Sequence, residues 1–389
     1  MRILFLSAWF PFPADNGSKL RIYNLISGLS SKHEISLLSF ADDPRMAQVD
    51  GLQDICESVQ VLPNRKYDAY SRRAILGFFG TKPRVLADRY VPEMEQAIRK
   101  EVSSGSYDLV IASQFYMADY LKGFARIPAI FEEAEVGVFT DAAEQADHWL
   151  RQTRNKLTLF KLRSYFRTLL PNFSFSTVVS ETEKKYLANL VPNYQSIEVI
   201  PNGVNLASYE NVQEQPQPGS MIFSGALTFA PNYHAMKWFT EQVFPLVLKA
   251  NPEAQLTITG DHAGLGLAND RNVIFAGYVD DIRPLIASSW ISLVPILSGG
   301  GTRLKILEAF GLQTPVVATS KGAQGLEVRH EKHLLIADTV ESFAEQTIRL
   351  LNDSELRYEL VSNALQLVRE RYDWDVIMPK FHSIIASAV

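Results

Sequence analysis

The sequence predicts an α/β protein made of two doubly wound, Rossmann-like domains, and three observations carry that reading. Residues 2–40 run strand, loop, helix, strand; the same alternation restarts after the Pro/Gln-rich stretch NVQEQPQPGS at 211–220; and an apolar run at 290–297 empties through three glycines into a helix. A chain of 389 residues is too long for one core and suits two.

Each element follows from its own pattern. Residues 2–9 read as a buried first strand, PFPADNGSK (11–19) as a Pro/Gly loop, 20–29 as a helix and 33–40 as a returning parallel strand. Short strands follow at 107–113, 128–132 and 177–179, and a strand with a turn at 197–205. Residues 206–219 have the composition of a linker. The second half gives strands at 221–225, 255–259, 272–276, 290–297, 314–319 and 333–336, with TFAPNYHA (228–235) as a loop and helices at 236–250, 340–351 and 356–371. The expected organisation is an N-terminal domain at 1–205, a linker at 206–219, a second domain at 220–372 and a terminal helix at 373–389 returning to the first domain. Two such sheets place a ligand crevice between them, at the carboxyl ends of their strands.

Composition excludes several classes. Hydrophobic residues at 47% and charged residues at 21% describe a globular protein, and a net charge of -5 argues against a general nucleic-acid binder. One cysteine, Cys56, excludes an internal disulfide and reads as a buried small side chain in a reducing cytoplasm. The N-terminal apolar run is too short for a signal peptide or a span, so any membrane contact is expected to be peripheral.

The chemistry concentrates in SGGGTRLKILEAFG at 298–311. Gly299, Gly300 and Gly301 let backbone approach a ligand closely, Thr302 can cap the helix, and the N–H groups of its first turn point at an anion. Arg303 and Lys305 put positive charge at the end of the helix where it opposes the dipole, which an anionic ligand would explain. Glu308 lies six residues past the Thr302 cap, about 9 Å along the axis, roughly the distance from a diphosphate to its ribose, where a carboxylate can accept from two sugar hydroxyls. The same residues also suit a Gly-rich turn before an ordinary amphipathic helix with solvated charges.

These pieces, together with PFPADNGSKLR, VSETEKKYL (179–187), VIPNGVNLASY (199–209), FSGALTFAPNYHAMKWF (223–239), FAGYVDDIRP (275–284) and a late YDW at 372–374, resemble the GT-B glycosyltransferases, most closely the retaining glycosyltransferase family four. The resemblance implies two Rossmann-like domains facing each other across a cleft. It places Glu308 on the ribose of a nucleotide-sugar donor, Leu304 and Lys305 at the diphosphate with Arg303 as a phosphate partner, and Gly299, Gly300 and Gly301 along the donor sugar. Tyr278 and Val279 correspond to the turn that meets the base, and Gly225 to the loop beside the diphosphate. Asn16, Gly17 and Ser18 fall in the N-terminal loop that faces the reacting centre. The chain departs from the family in three places. Gly300 stands where many members have a second glutamate, GALTFAPNYHA replaces an Arg and Lys pair, and FEEAEVGVF offers Glu132, Glu133, Ala134 and Glu135 where a histidine is common. Glu133 or Glu135 is therefore a candidate to orient an acceptor hydroxyl, and no catalytic residue is assigned.

The other constellations read as structure. Asp42-Asp43 and Asp280-Asp281 are acidic turns, and His330 with His333 lacks the partners of a zinc site, so no metal and no cofactor are expected. Residues 149–180 carry six Lys or Arg and no Asp or Glu among aromatic residues. That pattern fits a packed helix with a basic outer face or an amphipathic helix lying on anionic lipid. The expected activity is transfer, with retention, of a sugar from a UDP- or GDP-sugar to a saccharide, lipid-linked or small-molecule acceptor. The alternatives are a nucleotide-sugar epimerase of the same fold or a non-catalytic nucleotide-sugar-binding protein.

Overall fold

The computed structural model describes residues 1–144, 148–262, 264–267, 271–301 and 303–389. They form two compact units: Met1–Pro201 together with Ile377–Val389, and Asn202–Val376.

The first unit holds a seven-stranded parallel sheet. Its strands are β1 (Arg2–Ser7), β2 (Glu34–Ala41), β3 (Ser58–Pro63), β4 (Leu109–Ser113), β5 (Ala129–Glu132), β6 (Phe175–Val178) and β7 (Ile197–Val199), in the order β3-β2-β1-β4-β5-β6-β7. The second unit holds a six-stranded parallel sheet of β8 (Gln217–Phe223), β9 (Gln255–Thr259), β10 (Val273–Gly277), β11 (Ser289–Val294), β12 (Val316–Ala318) and β13 (Leu335–Ile336), in the order β10-β9-β8-β11-β12-β13. Helices cover both faces of such a sheet, so its central strands are apolar along their length; Ile3–Leu6 and Leu109–Ala112 are wholly buried. The order reverses between β1 and β4 in one sheet and between β8 and β11 in the other, and ligands collect at the carboxyl ends of strands beside such a reversal.

Several boundaries differ from the sequence reading. The first helix is Gly17–Ser30, because Asn16 accepts from the Lys19 N–H at 3.1 Å and starts it three residues early. Strand β3 was not expected; it is an edge strand that buries only Leu62 and ends on Pro63, which leaves little hydrophobic signal. TFAPNYHA is not a loop: a helix begins at Ala230, gives way to a π turn at Phe239–Val243 and resumes at Phe244–Ala250, where Pro245 has no N–H to offer the preceding turn. Of the strand with a turn expected at 197–205, the strand ends at Val199, before Pro201. The division between units falls at Pro201/Asn202, and the expected linker belongs to the second unit. It opens with a turn of 3₁₀ helix, Leu206–Tyr209, and ends inside β8. Tyr209 packs so closely on Gly311 that a Cβ there would lie 2.7 Å from its ring. The terminal helix is Trp374–Ala388; its Met378 lies on Gly28, where a Cβ would come within 2.7 Å, and its Lys380 donates to the Val199 carbonyl at 2.9 Å.

One polar contact organises the first unit. Arg21, on the first helix and fully buried, donates from Nε to Glu132 Oε1 at 2.7 Å and from Nη1 to the Pro201 carbonyl at 3.1 Å. Ser113, ending β4, donates to the other carboxylate oxygen at 2.7 Å. Removing one partner strands a buried charge, so Glu132→Ala is expected to cost about 3–5 kcal/mol, whereas the apolar pair Arg21→Met, Glu132→Leu recovers most of that loss. Thermal melts of the three proteins check it; a single variant as stable as the natural chain would refute the role given to the pair.

Candidate functional site

In the second unit the chain leaves β11 through Ile296 and the glycine loop and enters the helix Leu304–Gly311. The cap position is Arg303, without a side-chain cap bond, and Thr302, expected to cap, lies outside the described residues. The first N–H groups of a helix have no intrahelical partner, so those of Leu304 and Lys305 face the loop end of the sheet. Gly299 and Gly301 have φ of 95° and 83°, a region other residues avoid.

Arg303, the residue expected to meet a phosphate, also braces the loop. Its guanidinium turns back on the loop, donating to the Gly300 carbonyl at 2.6 Å and the Gly299 carbonyl at 2.8 Å. It holds the shape of the glycine run and supplies charge from beneath it.

Lys305 is the cation that the structure gathers other groups around. Its ammonium donates to Asn232 Oδ1 at 3.3 Å and stands 4.2 Å from the centre of the Phe223 ring, at the end of β8. A Cβ built on Gly225 would lie 3.1 Å from Lys305 Nζ and 2.7 Å from Asn232 Nδ2, so the bare backbone there is what lets the lysine reach across the sheet reversal. Asn232 is itself fixed by donating to the Ala226 carbonyl at 2.9 Å. Burial, helped by the Arg303 guanidinium and opposed by Glu308, pushes the Lys305 ammonium down to about 7. One turn on, burial pushes the Glu308 carboxyl up while Lys305 pulls it back. Gly225, Lys305 and Glu308 thus come together with the glycine loop. Tyr278 and Val279 sit on the turn after β10, two strands from β8, with the Tyr278 ring exposed and in none of these contacts.

Sequence reasoning missed Asn232 and Phe223. Asn232 lies in a segment expected to be loop, and Phe223 in the strand expected at 221–225, where nothing sets it apart. It also missed Gly260, whose Cβ would come within 2.5 Å of the Ala226 nitrogen, so that the loops after β8 and β9 pack backbone to backbone.

In the first unit, Asn16 caps the first helix, while Gly17 and Ser18 are its opening residues and not a loop. Glu133 follows directly on β5 with φ of 58°, and Gln114 follows on β4 with φ of 68°. Two such residues at neighbouring strand ends are costly for side chains with a Cβ and persist where the surroundings enforce them. Their side chains meet, Gln114 Nε2 donating to Glu133 Oε2 at 2.9 Å. Burial first, then the carboxylates of Glu132 and Glu135, pushes the Glu133 carboxyl up to about 8, with Arg21 working against them. Glu135 lies two residues further, its N–H donating to the Glu133 carbonyl at 2.9 Å.

The groups set aside on sequence grounds have structural partners. Asp43 pairs with Arg45 at 3.0 Å, Asp42 with Lys66 at 3.2 Å and Asp281 with Arg283 at 2.7 Å. His330 Nδ1 accepts from the Ile336 N–H at 2.9 Å and His333 Nδ1 from the Arg329 N–H at 3.1 Å, which fixes both in a turn.

Known proteins share this architecture. Residues 16–208 match the model of the family described as Glycosyltransferase Family 4, and residues 218–353 that of Glycosyl transferases group 1. The chain is 23% identical over 398 residues to an uncharacterized 44.6 kDa protein in the cps region of Klebsiella pneumoniae, covering 96% of each. It is 22% identical over 258 residues to the putative glycosyltransferase YtcC of Bacillus subtilis, covering 57% of this chain and 62% of that one. Among solved structures, the sucrose-phosphate synthase of Thermosynechococcus elongatus superposes with a TM-score of 0.71 at 16% identity, covering 99% of this chain and 98% of the other. Anabaena HepE in complex with UDP and glucose gives 0.67 at 17%, covering 100% of both. With both units matched by family models and the fold shared along the whole chain, the protein belongs to the group 1 glycosyltransferases and has the GT-B fold.

Proposed function

We propose that this glycosyltransferase takes a sugar from a nucleotide-diphosphate sugar held by the second unit and transfers it, with retention, to a saccharide, lipid-linked or small-molecule acceptor. The observation that carries the reading is the set of Lys305, Glu308, Gly225 and the glycine loop at the reversal between β8 and β11. The N–H groups of Leu304 and Lys305 and the Lys305 ammonium suit a diphosphate, and Glu308 suits a ribose. HepE, of the same fold, binds UDP and glucose, which favours a UDP-sugar over a GDP-sugar.

In this reading the bond from the anomeric carbon to the diphosphate oxygen breaks and its electron pair leaves with the diphosphate. Lys305 and the helix N-terminus stabilise that charge where it develops. The acceptor oxygen bonds to the anomeric carbon and passes its proton to the departing diphosphate oxygen. Glu133, held in a fixed place by Gln114, is the carboxyl of the first unit best suited to orient the acceptor hydroxyl. A fixed ammonium and a helix end neutralise the leaving group without a divalent ion, so transfer is expected to persist in EDTA.

Lys305→Gln and Glu308→Ala are each expected to weaken UDP-sugar binding by about 1.5–3 kcal/mol in titration calorimetry without unfolding the chain. Unchanged affinity in both would overturn the donor site.

Because the unliganded Lys305 ammonium titrates near 7, an anionic donor must recruit a proton to it above that pH. Affinity should therefore fall as pH rises from about 7 to 9, by up to about tenfold per unit, and the Lys305→Gln variant should lose that slope. A natural chain with pH-independent affinity across this range would refute it.

Glu133 binds its proton more tightly folded, near 8, than unfolded, so it makes stability fall as pH rises from the ordinary carboxyl range through 8. Glu133→Gln should flatten that fall and raise the melting temperature at pH 8, while raising the KM for acceptor several-fold and leaving donor affinity unchanged. A variant with natural acceptor KM would take Glu133 out of the reaction.

A further inference from the structure

Helix Trp149–Leu169 has two apolar sides. Leu162, Tyr165, Phe166 and Leu169 are buried in the first unit's core. Trp149, Leu157 and Phe160 lie on the nearly opposite side, in solvent, with Trp149 68% and Phe160 69% exposed. A helix that needed only one packed side would carry polar residues there.

A second exposed apolar segment lies against the middle of this helix. Lys161 donates to the Gly77 carbonyl at 2.8 Å and the Phe78 carbonyl at 2.6 Å, which anchors the turn after the short helix Arg72–Leu76. Leu76 and Phe79 on that turn are 68% and 89% exposed. Arg84 fixes the turn from below, donating to the Ala74 carbonyl at 2.8 Å and the Ala69 carbonyl at 2.6 Å. A cavity of about 360 Å³ runs along the seam, walled by Phe78 and Arg84 on one side and by Arg154 and Leu157 on the other. The two segments therefore form one continuous surface.

Its charge is one-sided. Residues 69–87 contain four Lys or Arg and residues 148–180 contain six, so the two segments hold ten of the chain's 38 cations and none of its 43 Asp and Glu. Lys161, Arg84 and Lys82, the last paired with Asp119, are occupied in holding the fold. Arg72, Arg151, Arg154, Lys156, Arg163 and Arg167 remain exposed, as does Arg73, which also donates to the Tyr90 carbonyl at 2.9 Å, in a protein whose net charge is -5.

We propose that this surface docks the first unit on an anionic lipid leaflet, with Leu76, Phe79, Trp149 and Phe160 entering the interface and the exposed cations meeting headgroups. The charge fits any polyanion. Four exposed large apolar side chains fit a partner with an apolar phase beneath its charge, which a nucleic acid or a soluble acidic chain does not offer. Docking concerns where the enzyme works and does not depend on the donor site, so it is measured without nucleotide sugar.

Flotation with vesicles of phosphatidylcholine, with and without phosphatidylglycerol, tests it. The full chain is expected to partition to the anionic vesicles at least about tenfold more than to neutral ones and to lose most of that preference in 1 M salt. Replacing Phe79 and Phe160 by serine should cut partition about tenfold with the melting temperature held. The separate variant Arg151→Gln, Lys156→Gln, Arg163→Gln, which touches only exposed positions, should weaken it comparably and guards against misfolding of the first. Absence of vesicle binding by the natural chain, or equal partition of all three proteins, overturns the proposal. So does binding to heparin that equals vesicle binding and ignores the serine changes, which would indicate a soluble polyanion. UDP-sugar affinity measured on the same proteins should stay at its natural value, so that failure of docking and failure of the donor site are read separately.

Discussion

The first unit turns on the ion pair between Arg21 and Glu132. Both side chains are fully buried, and taking two charges out of water is tolerable only because each is met on several sides: the guanidinium by a carboxylate and the Pro201 carbonyl, the carboxylate also by Ser113. The contact ties the first helix to the ends of β4 and β5 and to the last residue before the second unit. It also sets the electrostatics next door. Glu133 follows Glu132 in sequence and shares its field, so the negative charge that Arg21 only partly offsets helps keep the Glu133 carboxyl protonated near neutral pH.

The second unit solves a related problem in the opposite sense. Lys305 is recessed and close to another cation, so in the absence of a ligand its charge is poorly supported. Asn232, the Phe223 ring and the bare backbone of Gly225 fix where the nitrogen sits, so that under the proposed function an anionic donor would meet it already in place. Arg303 donates to two loop carbonyls, which holds the left-handed glycines in register with the helix end.

What the sequence disclosed and what it hid follow from distance along the chain. The glycine run, Lys305 and Glu308 were legible because their chemistry is local: a strand, a turn and a helix start within 14 residues. The pairing of Arg21 with Glu132 spans 111 positions, and Lys305 with Asn232 spans 73, so neither leaves a trace in local pattern. The hydrogen bonds from Arg303 to the loop carbonyls left no trace either, because its spacing from the glycines lets it face outward to a phosphate as readily as back to the loop. The helix at 149–169 was read as one of two alternatives, packed or lipid-facing. Its residues serve a core on one side and leave a second apolar side exposed, which composition could not divide between them.

The fit of the Tyr209 ring over Gly311 has a consequence for anyone recombining this enzyme with its relatives. Residues 202–209 look like disposable connector, yet they form the lid on the end of the helix that carries Glu308, and burial beside that carboxylate pushes the Tyr209 phenol up. A chimera joined after the Pro/Gln-rich stretch would import a foreign residue onto the back of the helix and disturb the carboxylate one turn away. A junction at Pro201/Asn202 carries lid and helix together, and a second at Val376/Ile377 is needed to exchange the first unit whole, because the chain's last residues pack on it.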